Sequence, residues 1–108
     1  MKVSYRQAAN DDVVRQFRYY LVTLNVPEVA IRFRDAVGRT VQSLCQHPLA
    51  GPHHPSSKLH LQNLRSWPVA GFEAIRVYYL VDEDAIRVIR ILHGKRDVKR
   101  ILEREQGL

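Results

Sequence analysis

Cysteine is all but missing from this chain: Cys45 is the only one, so no internal disulfide can form. It sits in a run with the spacing of a buried helix face and has no histidine–asparagine context beside it. It therefore reads as a small apolar core residue, not a nucleophile. No stretch approaches the ~20 apolar residues that a membrane span requires, and Met1-Lys2-Val3-Ser4-Tyr5-Arg6 lacks the apolar segment of a secretion signal. A reducing cytoplasm is the expected setting. There is no Gly-rich phosphate loop, no serine nucleophile elbow, and, outside Asp82-Glu83-Asp84, no pair of carboxylates that reads as catalytic, so the common nucleotide-binding and hydrolase signatures are excluded. Repeats, low-complexity tracts and linkers are also absent, and residues 1–108 read as a single domain.

What is present is ordinary globular material with a basic bias. The apolar fraction of 45% and charged fraction of 26% argue against disorder. The net charge of +6 is uneven: from Arg87 onward seven Lys/Arg face three Asp/Glu. Such a surplus suits an anionic partner, whether nucleic acid, an enzyme that handles it, or an acidic protein segment.

Periodicity gives the elements. Lys2–Arg6 alternates weakly, with Val3 and Tyr5 on one side, as an edge strand would. Asn10 is placed to cap a helix over Asp11–Leu24, with Asp11 and Asp12 in the first turn and Val13, Phe17, Tyr20, Leu21 and Leu24 as its stripe; Asp11 can pair with Arg15. Pro27 opens a second helix, whose stripe runs Val29, Ala30, Phe33, Ala36, Val37, Val41, Leu44 and Cys45 and which Pro48 ends. The short Asn25-Val26 joint makes the two helices an antiparallel hairpin. His47–Lys58 is a Pro-rich loop that holds His47, His53 and His54 but no acidic residue or cysteine of its own, and no metal site is expected.

The period then changes to two. Leu59, Leu61 and Leu64 lead into a strand ending at Trp67-Pro68. Gly71 opens the next, with Ile75, Val77, Tyr79 and Val81 on one face and Arg76, Tyr78 and Leu80 on the other. Asp82-Glu83-Asp84 turns the chain, and Ile86–Leu92, apolar on both faces, reads as a central strand. His93-Gly94 breaks it, and Asp97 caps a last short helix carrying Val98, Ile101 and Leu102. The expectation is an α+β, two-layer β-α-α-β-β-β(-α) domain with a helical hairpin packed on an antiparallel sheet. Near one sheet end gather the cations Arg76, Arg90, Lys95 and Arg96, with His93. Strict alternation puts Arg90 and His93 on opposite faces unless the strand bulges.

Two segments carry a resemblance. Leu64-Arg65-Ser66-Trp67-Pro68-Val69-Ala70-Gly71-Phe72-Glu73, followed by Ile89-Arg90-Ile91-Leu92-His93-Gly94-Lys95-Arg96-Asp97, resembles the C-terminal half of ParE-type toxins, the plasmid stabilisation proteins of the ParE/RelE superfamily. The hairpin ahead is similar in order and length. The resemblance implies a type II toxin–antitoxin component whose cognate antitoxin lays a helix on the hairpin and adds extended chain near the sheet; Tyr19, Tyr20, Phe33 and Val37 are the candidates to receive it. It implies inhibition of DNA gyrase rather than enzymatic turnover, with Arg76, Arg90, His93, Lys95 and Arg96 as target-binding residues and no cofactor. Homo-oligomers or toxin–antitoxin hetero-oligomers are compatible with it. The alternative is the RelE activity, endoribonucleolytic cleavage of mRNA on the ribosome, for which Arg76, His93 and Arg96 are the catalytic candidates. That pattern is incomplete: Leu102 stands where RelE-like enzymes carry a tyrosine, and only Lys58 and Arg65 stand near the expected lysine pair. Leu80 also replaces an arginine that many ParE-type members carry after the residue matching Tyr79.

Overall fold

The computed structural model describes residues 1–54, 58–59, 62–94, 96 and 98–104. Strand β1 (Lys2–Tyr5) turns Val3 and Tyr5 inward, as the alternation requires. The chain then runs directly from sheet to helix. The Arg6 N–H still donates to Val88 O (3.0 Å), while its carbonyl already accepts from Ala9 and Asn10 N–H (2.9 and 3.1 Å). Helix α1 therefore spans Gln7–Arg18, capped by extended Arg6 with no side-chain cap, and starts four residues before the expected Asp11. Asn10 is not the cap. Asp11 is exposed and accepts from Gln7 Nε2 (3.0 Å), and Arg15 pairs with Asp12 (3.3 Å).

Tyr19–Thr23 follows as a π-helical turn. Its wider ring, closed by Leu24 N–H to Tyr19 O (2.9 Å), inserts a residue and turns the chain off the α-helical phase. This is why Leu21 and Leu24, expected on the stripe, are exposed. Asn25 takes a left-handed φ of 53°, a conformation asparagine tolerates well, and reverses the chain. Helix α2 (Pro27–Gln46) has proline in its first turn and buries Ala30, Phe33, Ala36, Val37, Val41 and Leu44, as its stripe predicts. Thr40 is buried too, because its Oγ1 accepts the Ala70 N–H (3.1 Å) and pins α2 to the turn between two strands. Cys45 is half-buried against the core.

Strands β2 (Arg65–Val69), β3 (Phe72–Val81) and β4 (Ala85–His93) complete a sheet of order β1-β4-β3-β2. β2 continues through Pro68 to Val69, with a bulge between the two. Proline is tolerated there because β2 is an edge. The β2–β3 turn places Gly71 at φ +81°, in the left-handed region where glycine is unstrained. β1 pairs parallel with β4, Lys2 opposite Ala85 through Tyr5 opposite Val88, so the sheet is mixed, not wholly antiparallel. Parallel pairing is available because the whole hairpin and two strands intervene.

Both sheet faces are covered. The hairpin packs over Val77, Tyr79, Ile86, Val88 and Ile91, and the short helix α3 (Val98–Glu103) covers Tyr78, Ile89 and Leu92 with Leu102. Central β4 is apolar on both faces for this reason. The two layers thus gain a partial third. Leu64 is buried in the second cluster, whereas Leu59 is 80% exposed and Leu61 lies outside the described residues, as does Asp97, the expected α3 cap.

Candidate functional site

Arg76 lies on the outer, α3-covered face of the sheet with Tyr78, and Arg90 stands opposite Tyr78 in register on β4, but the surroundings of the two arginines differ. Opposite Tyr78 and Tyr79 the β4 register slips by one residue, from Arg90 to Val88. At this bulge α1 closes over β4 beyond the end of β1. The buried Asp12 carboxylate accepts Arg90 Nε and Nη2 (both 2.8 Å) and the Ile91 N–H (2.9 Å). Their side chains are 2% and 13% exposed, a fully engaged ion pair that also caps an exposed strand edge. Arg90, expected at the target surface, is thereby committed to holding α1 on the sheet.

Arg76 has no such partner among the described residues. Its Nε and Nη2 donate to Ser66 Oγ (3.2 and 3.0 Å) and Nη2 to Ser66 O (3.4 Å). No ion pair involves it, and Nη1 donates to no protein atom, among the described residues. Two residues along β3 on the same face lies Tyr78, whose ring meets the His54 ring edge-on at 5.3 Å. Burial, and secondarily the Arg76 charge, hold the His54 imidazole below its usual pKa of 6.5. Burial pushes the Tyr78 hydroxyl up, with Arg76 pulling in the opposite direction.

The loop that brings His54 here is tied down from below. Tyr79 Oη accepts the Gly51 N–H (3.0 Å) and donates to Pro48 O (2.9 Å), and Arg65 Nη1 donates to Leu49 O and Gly51 O (3.2 and 2.7 Å). Ser66 N–H to Pro52 O (3.2 Å), His54 N–H to Leu64 O (2.8 Å) and a bridge between His53 and Arg65 lay the loop along β2. No group of three metal-ligating residues exists among the described residues.

At the sheet end, Ile75 pairs with His93 and Arg76 with Leu92, so His93 adjoins Arg76 in register but lies on the opposite face. Exposed Arg96 is one turn on, its N–H donating to His93 O (3.0 Å). The backbone thus gathers Arg76, His93 and Arg96 at one end without setting them on one face; Lys95 lies outside the described residues. Arg76 and Arg96 are the candidates that keep solvent-facing charge without a carboxylate among the described residues.

The hairpin offers a second site. Phe33 and Val37 are 0% and 4% exposed, so neither can receive a partner. Tyr20 is half-buried, stacked near-edge-on against Phe33 and Phe72 (5.6 and 5.8 Å), and of the four candidates only Tyr19 is exposed. The open apolar surface is instead a groove of about 310 Å³ lined by Val13, Val14, Phe17, Arg18, Leu21 and Arg34. Arg34 sits over the Phe17 ring at 5.8 Å. The groove was hard to find in the sequence because Val14 falls off the stripe that Val13 and Phe17 follow.

A family model described as the ParE toxin of the type II toxin–antitoxin system parDE matches residues 3–98. The chain belongs to the ParE toxin family. The match runs from β1 to the first residue of α3, so it takes in every strand, the hairpin, Arg76 and Arg96. Solved structures share the fold of this ParE-family chain. The chromosomal ParDE toxin–antitoxin system from P. aeruginosa superposes with a TM-score of 0.68 at 22% identity, over 86% of this chain and 95% of that one. The YoeB/ParE toxin from Agrobacterium tumefaciens does so with a TM-score of 0.55 at 18% identity, over 86% and 98%. No curated protein matches. Among the described residues no helix is long and apolar enough to cross a membrane.

Proposed function

We propose that this ParE-family toxin acts by binding DNA gyrase and is silenced by a cognate antitoxin whose helix fills the α1–α2 groove. The carrying observation is family membership across residues 3–98, joined to an apolar groove open on the hairpin. The surfaces flanking the groove carry Arg15 and Arg18 on α1 and Arg34 and Arg39 on α2 against Asp11 and Asp35, a cationic excess that favours an amphipathic helix with acidic flanks. The target contact belongs at the sheet end, to Arg76 and Arg96. Toxin–antitoxin hetero-oligomers follow from this reading.

The ribonuclease alternative is less well supported. Leu102, at the position where RelE-like enzymes carry a tyrosine, is 1% exposed within the outer cluster and has no proton to transfer.

Expressed alone, the chain arrests growth, and supercoiling by purified gyrase falls when it is added while primer-extension maps of cellular mRNA stay unchanged. Codon-linked cuts in those maps would replace gyrase with the ribosome, and normal growth at high soluble expression would mark an inactive copy. Leu21→Asp, which places a charge in the groove, abolishes rescue by the antitoxin but leaves toxicity intact.

A further inference from the structure

Three side chains on the outer sheet face hold hydrogen-bonding groups that no protein atom uses. Arg76 Nη1, the His54 imidazole and the Tyr78 hydroxyl make no hydrogen bond among the described residues. None of the three is sealed from solvent, because no buried side-chain nitrogen or oxygen among the described residues lacks a partner. Tyr78 is the telling case: the residue is 3% exposed, yet its hydroxyl is left open. Buried tyrosine hydroxyls ordinarily find a partner.

The three groups are neighbours. Arg76 and Tyr78 are two residues apart on one strand face, the His54 and Tyr78 rings touch edge-on, and Arg76 acts electrostatically on both. The half-buried guanidinium has no carboxylate to balance it among the described residues, in contrast to Arg90 a strand away. A cation so placed is normally compensated.

We infer that Arg76, His54 and Tyr78 form a binding site for a phosphate group. A tetrahedral anion offers oxygens in several directions, which suits a free guanidinium edge, a ring nitrogen and a hydroxyl better than a planar carboxylate does. Neutral His54 has one ring N–H to donate, and a phosphate oxygen can accept it. Arg65, the cation that β2 carries, is spent on the Leu49 and Gly51 carbonyls. The phosphate comes from a nucleotide or from a single-stranded nucleic acid backbone. The site stands independently of whether gyrase is the target.

The test is an NMR titration of the full chain with inorganic phosphate, then 5′-AMP, then an RNA hexanucleotide. Phosphate should move the Arg76 side-chain and His54 ring resonances together and raise the His54 titration midpoint. Arg76→Gln should weaken binding about tenfold or more, and Tyr78→Phe, which keeps the ring packing, by several-fold, as expected for lost charge-assisted bonds. Binding of RNA at least tenfold tighter than 5′-AMP assigns the phosphate to a strand, and equal binding assigns it to a nucleotide. Unmoved His54 and Arg76 resonances with all three probes overturn the site. So does an equal response to acetate, or undiminished binding by both variants.

Discussion

The Asp12–Arg90 pair should be the most expensive single contact to break. Replacing Asp12 with Ala removes the acceptor of two guanidinium bonds and of the Ile91 N–H, all within 2.9 Å. Arg90, 13% exposed, is left without its buried carboxylate. Removing one member of such a pair costs about 3–5 kcal/mol, chiefly because the remaining charge is stranded. Domains of this size have about 5–15 kcal/mol in total, so the variant spends a large share of it. At about 4 °C per kcal/mol the Tm should fall by roughly 12–20 °C. Urea denaturation of the purified chain measures the loss directly. The control is Asp11→Ala: Asp11 is exposed and, among the described residues, holds only Gln7, so it should shift stability by no more than about 0.5 kcal/mol. The double variant Asp12→Ala/Arg90→Ala should lose less than the sum of the two singles by about 1–3 kcal/mol. A loss under about 1 kcal/mol for Asp12→Ala, or strict additivity, would refute the assignment of this pair as the lock between α1 and β4.

Gly51→Ala should destabilise by roughly 1–3 kcal/mol, because the new methyl group would lie 2.6 Å from both Ser66 O and Tyr79 Oη; unchanged urea midpoints would show that the loop yields freely. His54 has a folded pKa below its unfolded 6.5, so its neutral form contributes stability above that pH, and the contribution is lost as pH falls through 6.5 toward the folded value. His54→Gln should therefore flatten the acid side of the stability–pH curve, and an identical slope in both proteins would contradict the burial argument. Arg96→Ala should reduce growth arrest while leaving the thermal transition in place, since Arg96 is exposed; insoluble or unfolded protein would reveal a structural arginine.

The legible parts of the fold were those set by local pattern. The α2 stripe from Ala30 to Leu44 and the alternation from Ile75 to Val81 each follow one period without interruption, and both stand in the structure as expected. α1 was misplaced because Asp11 and Asp12 look like a first-turn pair, whereas Asp12 is held by a residue 78 positions away. A polar residue in phase with buried Ala9 was the available signal. The parallel pairing of β1, the bulge near Arg90 and the close approach of Gly51 to β2 are long-range matters that no window of sequence contains. The candidate site divided in the same way: the break at His93-Gly94 marks the end of β4 as expected, but only the fold separates the engaged Arg90 from the open Arg76. His54 went unassigned because its Pro-rich loop offered no partner that would give it a role, while its contact is an aromatic ring across the sheet edge.

The two candidate sites lie on opposite sides of the sheet, and this constrains how one antitoxin can silence the protein. The groove faces away from β3 on the hairpin layer, while Arg76, His54 and Tyr78 open on the α3 side. A helix confined to the groove leaves Arg76 uncovered. If toxicity acts through Arg76, neutralisation needs additional chain that passes a sheet edge. β2 is already lined by the loop from Pro52 to His54, and the outer edge of β1 is without a partner strand among the described residues. The β1 edge or the sheet end at Arg96 is then the route, and a peptide spanning the groove alone would bind without rescuing growth. Full rescue by such a peptide would move the toxic surface from the sheet to the hairpin itself.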